Sequence, residues 1–117
     1  MQVPDYADFT RAIADDASSD AAFDALCAMT KAIVGVKLFT IMTRDGKLGH
    51  AQRIYSNMPD AYPVSGTKPA NETDWTRQVI VEKRIFVAND IEAIAEVFYD
   101  HELIKSLGCE SVINVPI

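Results

Sequence analysis

The 117-residue sequence has only two cysteines, and they lie far apart in the chain. Cys27 and Cys109 form no Cys-x-x-Cys pair and have no pair of histidines nearby, so the sequence gives no support for a zinc site or a thioredoxin-like motif. We predict that both are free thiols that pack as small, buried or half-buried hydrophobic side chains, as is usual in a reducing compartment. No metal site is predicted.

Clusters of basic residues and long apolar runs are also missing. The chain has 11 Lys and Arg against 17 Asp and Glu, a formal net charge of −6, and its longest basic cluster is Lys83-Arg84. Nucleic acids and anionic lipids are bound by clustered positive charge, and a membrane-spanning helix needs roughly 20 apolar residues. We therefore expect a soluble, cytoplasmic protein with no nucleic-acid partner and no membrane partner.

The familiar catalytic signatures are absent. The sequence contains no Gly-x-Ser-x-Gly elbow, phosphate loop, dinucleotide fingerprint or His-Glu-x-x-His helix. This argues against an enzyme, and we assign no catalytic residue and no cofactor. One alternative is a thiol-dependent enzyme in which His101 serves as base to a Cys109 nucleophile. A histidine in the first turn of a short helix is more typical of a surface or of the rim of a pocket.

The residues that are present indicate one globular domain over 1–117, with 49% hydrophobic and 24% charged residues. Helical periodicity, capping residues and glycine stops predict five helices, over 6–15, 20 to about 34, within "NETDWTRQVIVEK" (71–83), about 91–98 and 100–107. Asn71 or Thr73 is the predicted N-cap of the third helix, and Asp90 and Asp100 can cap the last two. Gly108 has the position of a helix C-terminal glycine.

The strands are predicted from runs with a period of two. Two such runs flank Asp45-Gly46, a dipeptide typical of hairpin turns. The stretch 57–69 contains three prolines and one glycine, so we expect an ordered loop that does not continue the ladder. Further strands are predicted in "RIFVAND" and from about Ser111 onward. These elements predict an α+β fold, with a mainly antiparallel central sheet and helices packed on it.

The aromatic residues suggest a site for a small apolar ligand. Trp75, the only tryptophan, follows a capped helix start, and a ligand could be surrounded by four further aromatic side chains, Tyr55, Tyr62, Phe98 and Tyr99. The alternative is that these aromatic side chains simply form the core.

The order of several short phrases resembles the GAF domain, a cytoplasmic sensory module of signalling proteins whose architecture is related to that of PAS domains. The resemblance covers about 21–117, with 1–18 as an N-terminal helical extension. Its phrases, in chain order, are "KLFTIMTRDG", "RIYSNMPDAYPVSGTKP", "TDWTRQVI", "RIFVAND" and "SLGCESVINVPI". GAF domains continue past the strand that ends in Val-Pro-Ile. The resemblance therefore implies either a fragment of a longer protein or a partner chain that completes the sheet. In either case the core would be incompletely filled, so we expect a homodimer.

The resemblance also implies where a small molecule would bind, between the sheet and the helices and loops that cover one face. Its contacts would come from six side chains, Tyr55, Tyr62, Trp75, Asp90, Phe98 and His101. The chain carries neither the cyclic-nucleotide signature of the family nor a cysteine in a bilin-attachment context, so the ligand is an unidentified small molecule.

Three hypotheses follow. The first is a non-catalytic sensory or regulatory domain that binds a small molecule and signals through dimer packing or an output domain. The second is a dimerisation module whose cavity is filled by its own side chains. The third is a thiol-dependent enzyme similar to the GAF proteins that reduce free methionine sulfoxide, although Cys27 and Cys109 do not match the cysteine arrangement of those proteins.

Overall fold

A computed structural model describes residues 6–14, 19–44, 50–64, 67–69 and 73–117 of the chain. The chain divides into two compact units, Met1–Lys68 and Pro69–Ile117. The helices are α1 (Ala7–Ala14), α2 (Ser19–Val34), α3 (Asp74–Thr76), α4 (Ile91–Val97) and α5 (His101–Ser106). The strands are β1 (Thr40–Arg44), β2 (His50–Ser56), β3 (Thr67–Pro69), β4 (Phe86–Ala88) and β5 (Val112–Asn114). Within these described parts, no helix is both long and apolar enough to cross a membrane.

Helices α1 and α2 pack against each other in the first unit, at the positions that periodicity predicts. Helix α2 stops before Gly35, which has a φ of +71° and donates its N–H to the carbonyl of Lys31 at 2.9 Å. A Cβ at Gly35 would meet nothing within 4 Å. Glycine is favoured there by the left-handed backbone and not by lack of space.

The predicted hairpin is present. Strands β1 and β2 pair antiparallel from Thr40 opposite Ser56 to Arg44 opposite Ala51, with an irregularity between Ile41 and Met42. The predicted turn at Asp45-Gly46 lies outside the described residues. The hairpin is extended by Asn57, whose backbone N–H donates to the Phe39 carbonyl at 3.1 Å.

The prediction that 57–69 is entirely loop is wrong at its end. Thr67–Pro69 forms β3, the third strand of a sheet with the order β1-β2-β3. Proline cannot donate to a ladder, but it is tolerated in an edge strand, and Pro69 is the last residue of β3. The prolines therefore restrict where pairing occurs without preventing it.

The second unit opens with the predicted third helix, which is capped but not regular. Thr73 is the N-cap: its Oγ1 accepts from the N–H of Thr76 at 3.2 Å, and its own N–H donates to Thr76 Oγ1 at 2.7 Å. After α3 the chain widens into a π-helical turn over Arg77–Val81, closed by the N–H of Glu82, which donates to the carbonyl of Arg77 at 2.8 Å. Lys83 follows with a φ of +55°.

Asp90 caps α4 as predicted, because its Oδ1 accepts from the N–H of Ala93 at 2.8 Å. Asp100 occupies the N-cap position of α5, but its side chain makes no capping hydrogen bond there. Its carbonyl accepts from the N–H of Ile104 at 3.1 Å, which is the hydrogen bond expected of an N-cap carbonyl.

Gly108 ends α5 as predicted, with a φ of +85°. The N–H of Gly108 donates to the Lys105 carbonyl at 2.9 Å, and the N–H of Cys109 donates to the Ile104 carbonyl at 3.3 Å. This pair of bonds is the Schellman motif, which satisfies carbonyls that the end of a helix would otherwise leave unpaired. The chain then enters β5, which pairs antiparallel with β4.

The α+β class and the antiparallel pairing are thus confirmed. Among the described residues, the strands form a three-stranded and a two-stranded sheet instead of the single central sheet that was expected. Among the residues whose burial the structure describes, the buried apolar side chains of the first unit are Cys27 and Tyr62, and those of the second unit are Val79, Ala88, Ile94 and Ile104.

Candidate functional site

The candidate site in the first unit is organised around Tyr55 on β2. Its hydroxyl donates a 2.7 Å hydrogen bond to Oδ1 of Asp24, which projects from α2. Asp24 lies one turn after the start of that helix, and Tyr55 lies near the end of its strand. The bond therefore connects the helix to the hairpin and holds one carboxylate oxygen of Asp24 in a fixed place.

Two phenylalanine rings position the ring of Tyr55. Phe23 and Phe39 each form an edge-to-face pair with Tyr55. The ring centroids are 5.8 Å apart in the Phe23 pair and 5.9 Å apart in the Phe39 pair. Edge-to-face pairs at such distances are favourable because the positive edge of one ring meets the negative face of the other. Phe39 is itself held by Asn57, whose Oδ1 accepts from the Phe39 N–H at 2.7 Å. The phenol is thus fixed at both its ring and its hydroxyl.

The hydroxyl of Tyr55 is kept in its protonated form. Partial desolvation raises the pKa of Tyr55 well above its usual value, and the hydrogen bond to Asp24, the neighbouring Cys27 sulfur and the negative charge of Asp24 raise it further. Each of these disfavours a phenolate, because a buried charge loses hydration and two like charges repel. Tyr55 is therefore a hydrogen-bond donor throughout the physiological pH range.

A cleft of about 270 Å³ opens beside this tyrosine. It is lined by residues of α2, of β2 and of the segment after β2: Asp20, Asp24, Ile54, Tyr55, Ser56 and Val64. Its volume is close to the lower end of the range of small-molecule sites. Of these residues, Asp20 and Asp24 are acidic, Tyr55 and Ser56 carry hydroxyl groups, and Ile54 and Val64 are aliphatic.

The two carboxylates lie on the same side of α2. Asp20 and Asp24 are four residues apart, which places their side chains one above the other on the helix surface. Like charges at this spacing destabilise a helix by about 0.2–0.5 kcal/mol, partly offset because Asp20 is in the first turn, where the helix dipole favours negative charge. The cleft therefore carries concentrated negative charge.

Tyr62, the second predicted site residue in this unit, is buried beneath Arg53. The guanidinium carbon of Arg53 lies 4.8 Å from the centroid of the Tyr62 ring, and its Nη1 donates to the Pro63 carbonyl at 3.3 Å. The N–H of Tyr62 donates to the Met58 carbonyl at 2.8 Å, which closes one helical turn in the loop. The prediction that this loop is ordered and packs through Tyr62 is confirmed over its described part.

Trp75 and Phe98 meet in the second unit. Their ring centroids are 6.2 Å apart. The ring centroid of Phe86, which lies on β4, is 6.3 Å from that of Phe98. The indole Nε1 of Trp75 donates to Oδ1 of Asn114 on β5 at 3.1 Å. The aromatic residues of this unit therefore form a packed cluster that connects α3 to β5.

The other two predicted site residues of this unit have visible local roles. The Asp90 carboxylate accepts the N–H of Ala93 at the start of α4. His101 is half-buried in the first turn of α5, and its N–H donates to the Phe98 carbonyl at 3.3 Å. Asp90 therefore serves as a cap, which the capping interpretation of the sequence also predicts.

The six predicted site residues therefore divide between the units, with Tyr55 and Tyr62 in the first and Trp75, Asp90, Phe98 and His101 in the second. The structure brings Trp75 and Phe98 into contact and places Tyr55 on the cleft. Their joint role in binding one ligand stays a prediction. Sequence reasoning missed Asp20 and Asp24 as lining residues, although their spacing of four on a predicted helix is a signal that they share a face.

Both cysteines are free thiols, Cys27 buried and Cys109 half-buried, which confirms the predicted packing. Cys27 belongs to the first unit and Cys109 to the second. Among the described residues, no group of three or more His, Cys, Asp or Glu side chains is arranged to hold a metal ion. Comparison of the chain with protein-family models, with curated proteins and with solved structures found no match.

Proposed function

We propose that the protein is a non-catalytic sensory or regulatory domain of the GAF type, which binds a small molecule in the cleft beside Tyr55. The observation that carries this proposal is the cleft itself, about 270 Å³ in volume and lined by both polar and aliphatic groups. A site of this composition offers directed hydrogen bonds together with apolar surface, which is the usual chemistry of small-molecule binding sites. The proposal also places the domain in the cytoplasm, consistent with its two free cysteines.

The signal would arise because the cleft is lined by two separate elements. Asp24 belongs to α2, whereas Ile54, Tyr55 and Ser56 belong to β2, and the described contacts between the two elements include the Tyr55 to Asp24 hydrogen bond. A ligand that contacts both elements would favour one arrangement of helix against hairpin over others. The change would pass to an output domain or to a partner copy of the chain.

The test is a thermal-shift screen of metabolites against three proteins: the wild type, Val64→Trp and Met42→Trp. Val64 lines the cleft and is 47% exposed, so an indole there fills the cleft without disturbing the core. Met42 is also 47% exposed but does not line the cleft, which makes it a matched control. A true ligand raises the melting temperature of the wild type and of Met42→Trp but not of Val64→Trp. The proposal is wrong if no metabolite raises the melting temperature, or if Val64→Trp responds as the wild type does.

A second candidate function, a dimerisation module, is favoured by one observation in the second unit. Val87 of β4 lies opposite Ile113 of β5, and both are more than half exposed. Ile85 and Val115 flank this pair and are also more than half exposed. Adjacent exposed β-branched residues on a two-stranded sheet form an apolar surface of the kind that mediates protein contacts.

Native mass spectrometry distinguishes the dimerisation module from the ligand-binding function. Val87→Lys should convert a dimer to a monomer, whereas Met42→Lys, which adds the same charge to an exposed apolar position in the first unit, should leave the dimer intact. A wild-type chain that stays monomeric at high micromolar concentration would remove the dimerisation module from consideration. A retained adduct of a few hundred daltons in the same spectra would instead favour the ligand-binding function.

A further inference from the structure

The two-stranded sheet of the second unit is apolar on both of its faces. On one face, the ring of Phe86 packs on that of Phe98, and Ala88 is 1% exposed. On the other face, Val87 and Ile113 lie opposite each other and are more than half exposed. An antiparallel sheet that meets water on one face usually alternates apolar with polar residues. The pattern seen here is typical of a sheet whose second face is also covered.

The exposed apolar face continues beyond this pair. Ile85 directly precedes β4 and Val115 directly follows β5. The register that pairs Val87 with Ile113 places Ile85 opposite Val115 when it is continued by two residues, and both are more than half exposed. We call these four side chains, Ile85, Val87, Ile113 and Val115, the outer patch. It contains no charged group, so its centre offers only apolar contacts.

Charged residues lie at the two ends of the outer patch, and the two ends differ in sign. Because the strands are antiparallel, β4 begins where β5 ends. Within four positions of the strands, the end where β4 begins has two basic residues and one acidic residue, whereas the other end has three acidic residues and no basic residue. The first set is Glu82, Lys83 and Arg84, and the second is Asp90, Glu92 and Glu110. Since Arg84 pairs with Glu82 at 2.8 Å, Lys83 carries the excess positive charge of the first end.

This distribution of charge makes the outer patch complementary to itself. An interface about a two-fold axis uses the same surface of both copies. If the axis lies between two facing sheets and runs across the strands, the strands of the copies run antiparallel, and each positive end lies over a negative end. An axis along the strands would instead bring like charges together. The charges therefore favour a second copy of the chain as the occupant of the patch, in one orientation.

We propose that the outer patch binds the outer patch of a second copy, in a two-fold dimer whose sheets pack face to face with their strands antiparallel. Ile85 of one copy then lies over Val87 of the second copy, and Lys83 lies near the second copy's acidic end. The inference rests on the dimerisation module and names its partner and orientation. It differs from completion of a sheet edge, because side chains and not backbone hydrogen bonds make the contact.

The experiment measures the dissociation constant of the dimer by sedimentation equilibrium, for the full chain and its variants. Ile113→Lys places a charge in the centre of the patch and should abolish the dimer. Lys83→Glu and Glu110→Lys each reverse the charge at one end, and each should weaken the dimer at least about fivefold, because the two-fold axis makes each change act twice. The double variant exchanges the signs of these two residues and should recover most of the lost affinity.

Lys31→Glu is the matched control, since it makes the same change at an exposed lysine of the first unit, and it should leave the dissociation constant unchanged. All of these changes are at exposed positions, so each variant should keep its fold, which far-UV circular dichroism checks. Recovery of affinity in the double variant cannot arise from loss of fold.

The outcomes separate this inference from the function on which it rests. A wild-type chain that stays monomeric at high micromolar concentration overturns both. A dimer that Ile113→Lys leaves intact, or a double variant no tighter than the single ones, overturns the face-to-face arrangement while the dimerisation module survives. If Lys31→Glu weakens the dimer as much as Lys83→Glu does, the effect follows net charge and the proposed orientation is wrong.

Discussion

Tyr55 and Asp24 lie 31 residues apart in the chain and are joined by a 2.7 Å hydrogen bond from the phenol to the carboxylate. This bond connects α2 to β2, and both residues line the same cleft. The same pair therefore contributes to stability and shapes the proposed site. Its two contributions are separable by experiment, because removing the hydroxyl leaves the aromatic ring and the carboxylate in place.

Tyr55→Phe should lower the free energy of unfolding by about 1 kcal/mol, since the variant loses one partly solvated hydrogen bond to a charged group. The edge-on contacts with Phe23 and Phe39 remain. Urea denaturation measures the loss. Tyr6→Phe, at a residue that is 53% exposed, is the control and should change stability by less than about 0.5 kcal/mol. Equal effects in the two variants would show that the Tyr55 hydroxyl contributes nothing specific.

The raised pKa of Tyr55 predicts a dependence of stability on alkaline pH. Below pH about 10 the phenol is protonated in both the folded and the unfolded chain, so its contribution is constant. Above that pH the unfolded chain releases the proton while the folded chain keeps it. The folded state then binds more protons, and stability falls as pH rises.

Denaturation of the wild type and Tyr55→Phe over the range from about pH 9 to about pH 11 isolates this contribution, because every other titrating group is common to both proteins. The wild type should lose more stability than the variant. Parallel curves would mean that Tyr55 ionises in the folded chain as it does in the unfolded chain.

Asn114→Ala should destabilise the chain by about 1–3 kcal/mol, because it leaves the half-buried indole N–H of Trp75 without its acceptor. Urea denaturation followed by the fluorescence of this single tryptophan measures the change. Asn89→Ala, an exposed position next to β4, is the matched control and should have little effect. Similar losses in the two variants would contradict a structural role for the bond.

Gly108→Val should destabilise the chain by at least about 1–2 kcal/mol, because its φ of +85° is unfavourable for a β-branched residue. Gly108→Asn should cost much less, since asparagine tolerates the left-handed region. Thermal denaturation compares the two. A valine variant as stable as the wild type would mean that the end of α5 can rearrange without loss of the Schellman bonds.

Asp90→Ala should cost about 1 kcal/mol by removing the N-cap of α4, whereas Asp90→Asn should retain most of the stability because an amide oxygen also accepts from the Ala93 N–H. Chemical denaturation of the two variants gives the difference. If the asparagine variant is as unstable as the alanine variant, then the charge of Asp90, and not its capping bond, is what matters.

Local chemistry determined most of the elements. Helix α2 ends at Gly35 and α5 at Gly108 because both residues take a positive φ, and α4 begins at Asp90 because a carboxylate accepts a free N–H of the first turn. Each of these depends on residues a few positions apart. For that reason they could be predicted from the sequence.

Contacts between distant residues were decided only by the tertiary structure. The sequence marks Tyr55 as a candidate, but only the packing of β2 against α2 places it on Asp24 and opens a cleft beside Asp20. The predicted loop gained β3, and the predicted third helix widened into a π-helical turn. Strand pairing and side-chain packing join groups far apart in the chain, so their energies do not appear in any local pattern. Local residue chemistry therefore predicts the ends of α2 and α5 and the start of α4, whereas long-range packing sets which side chains share a site.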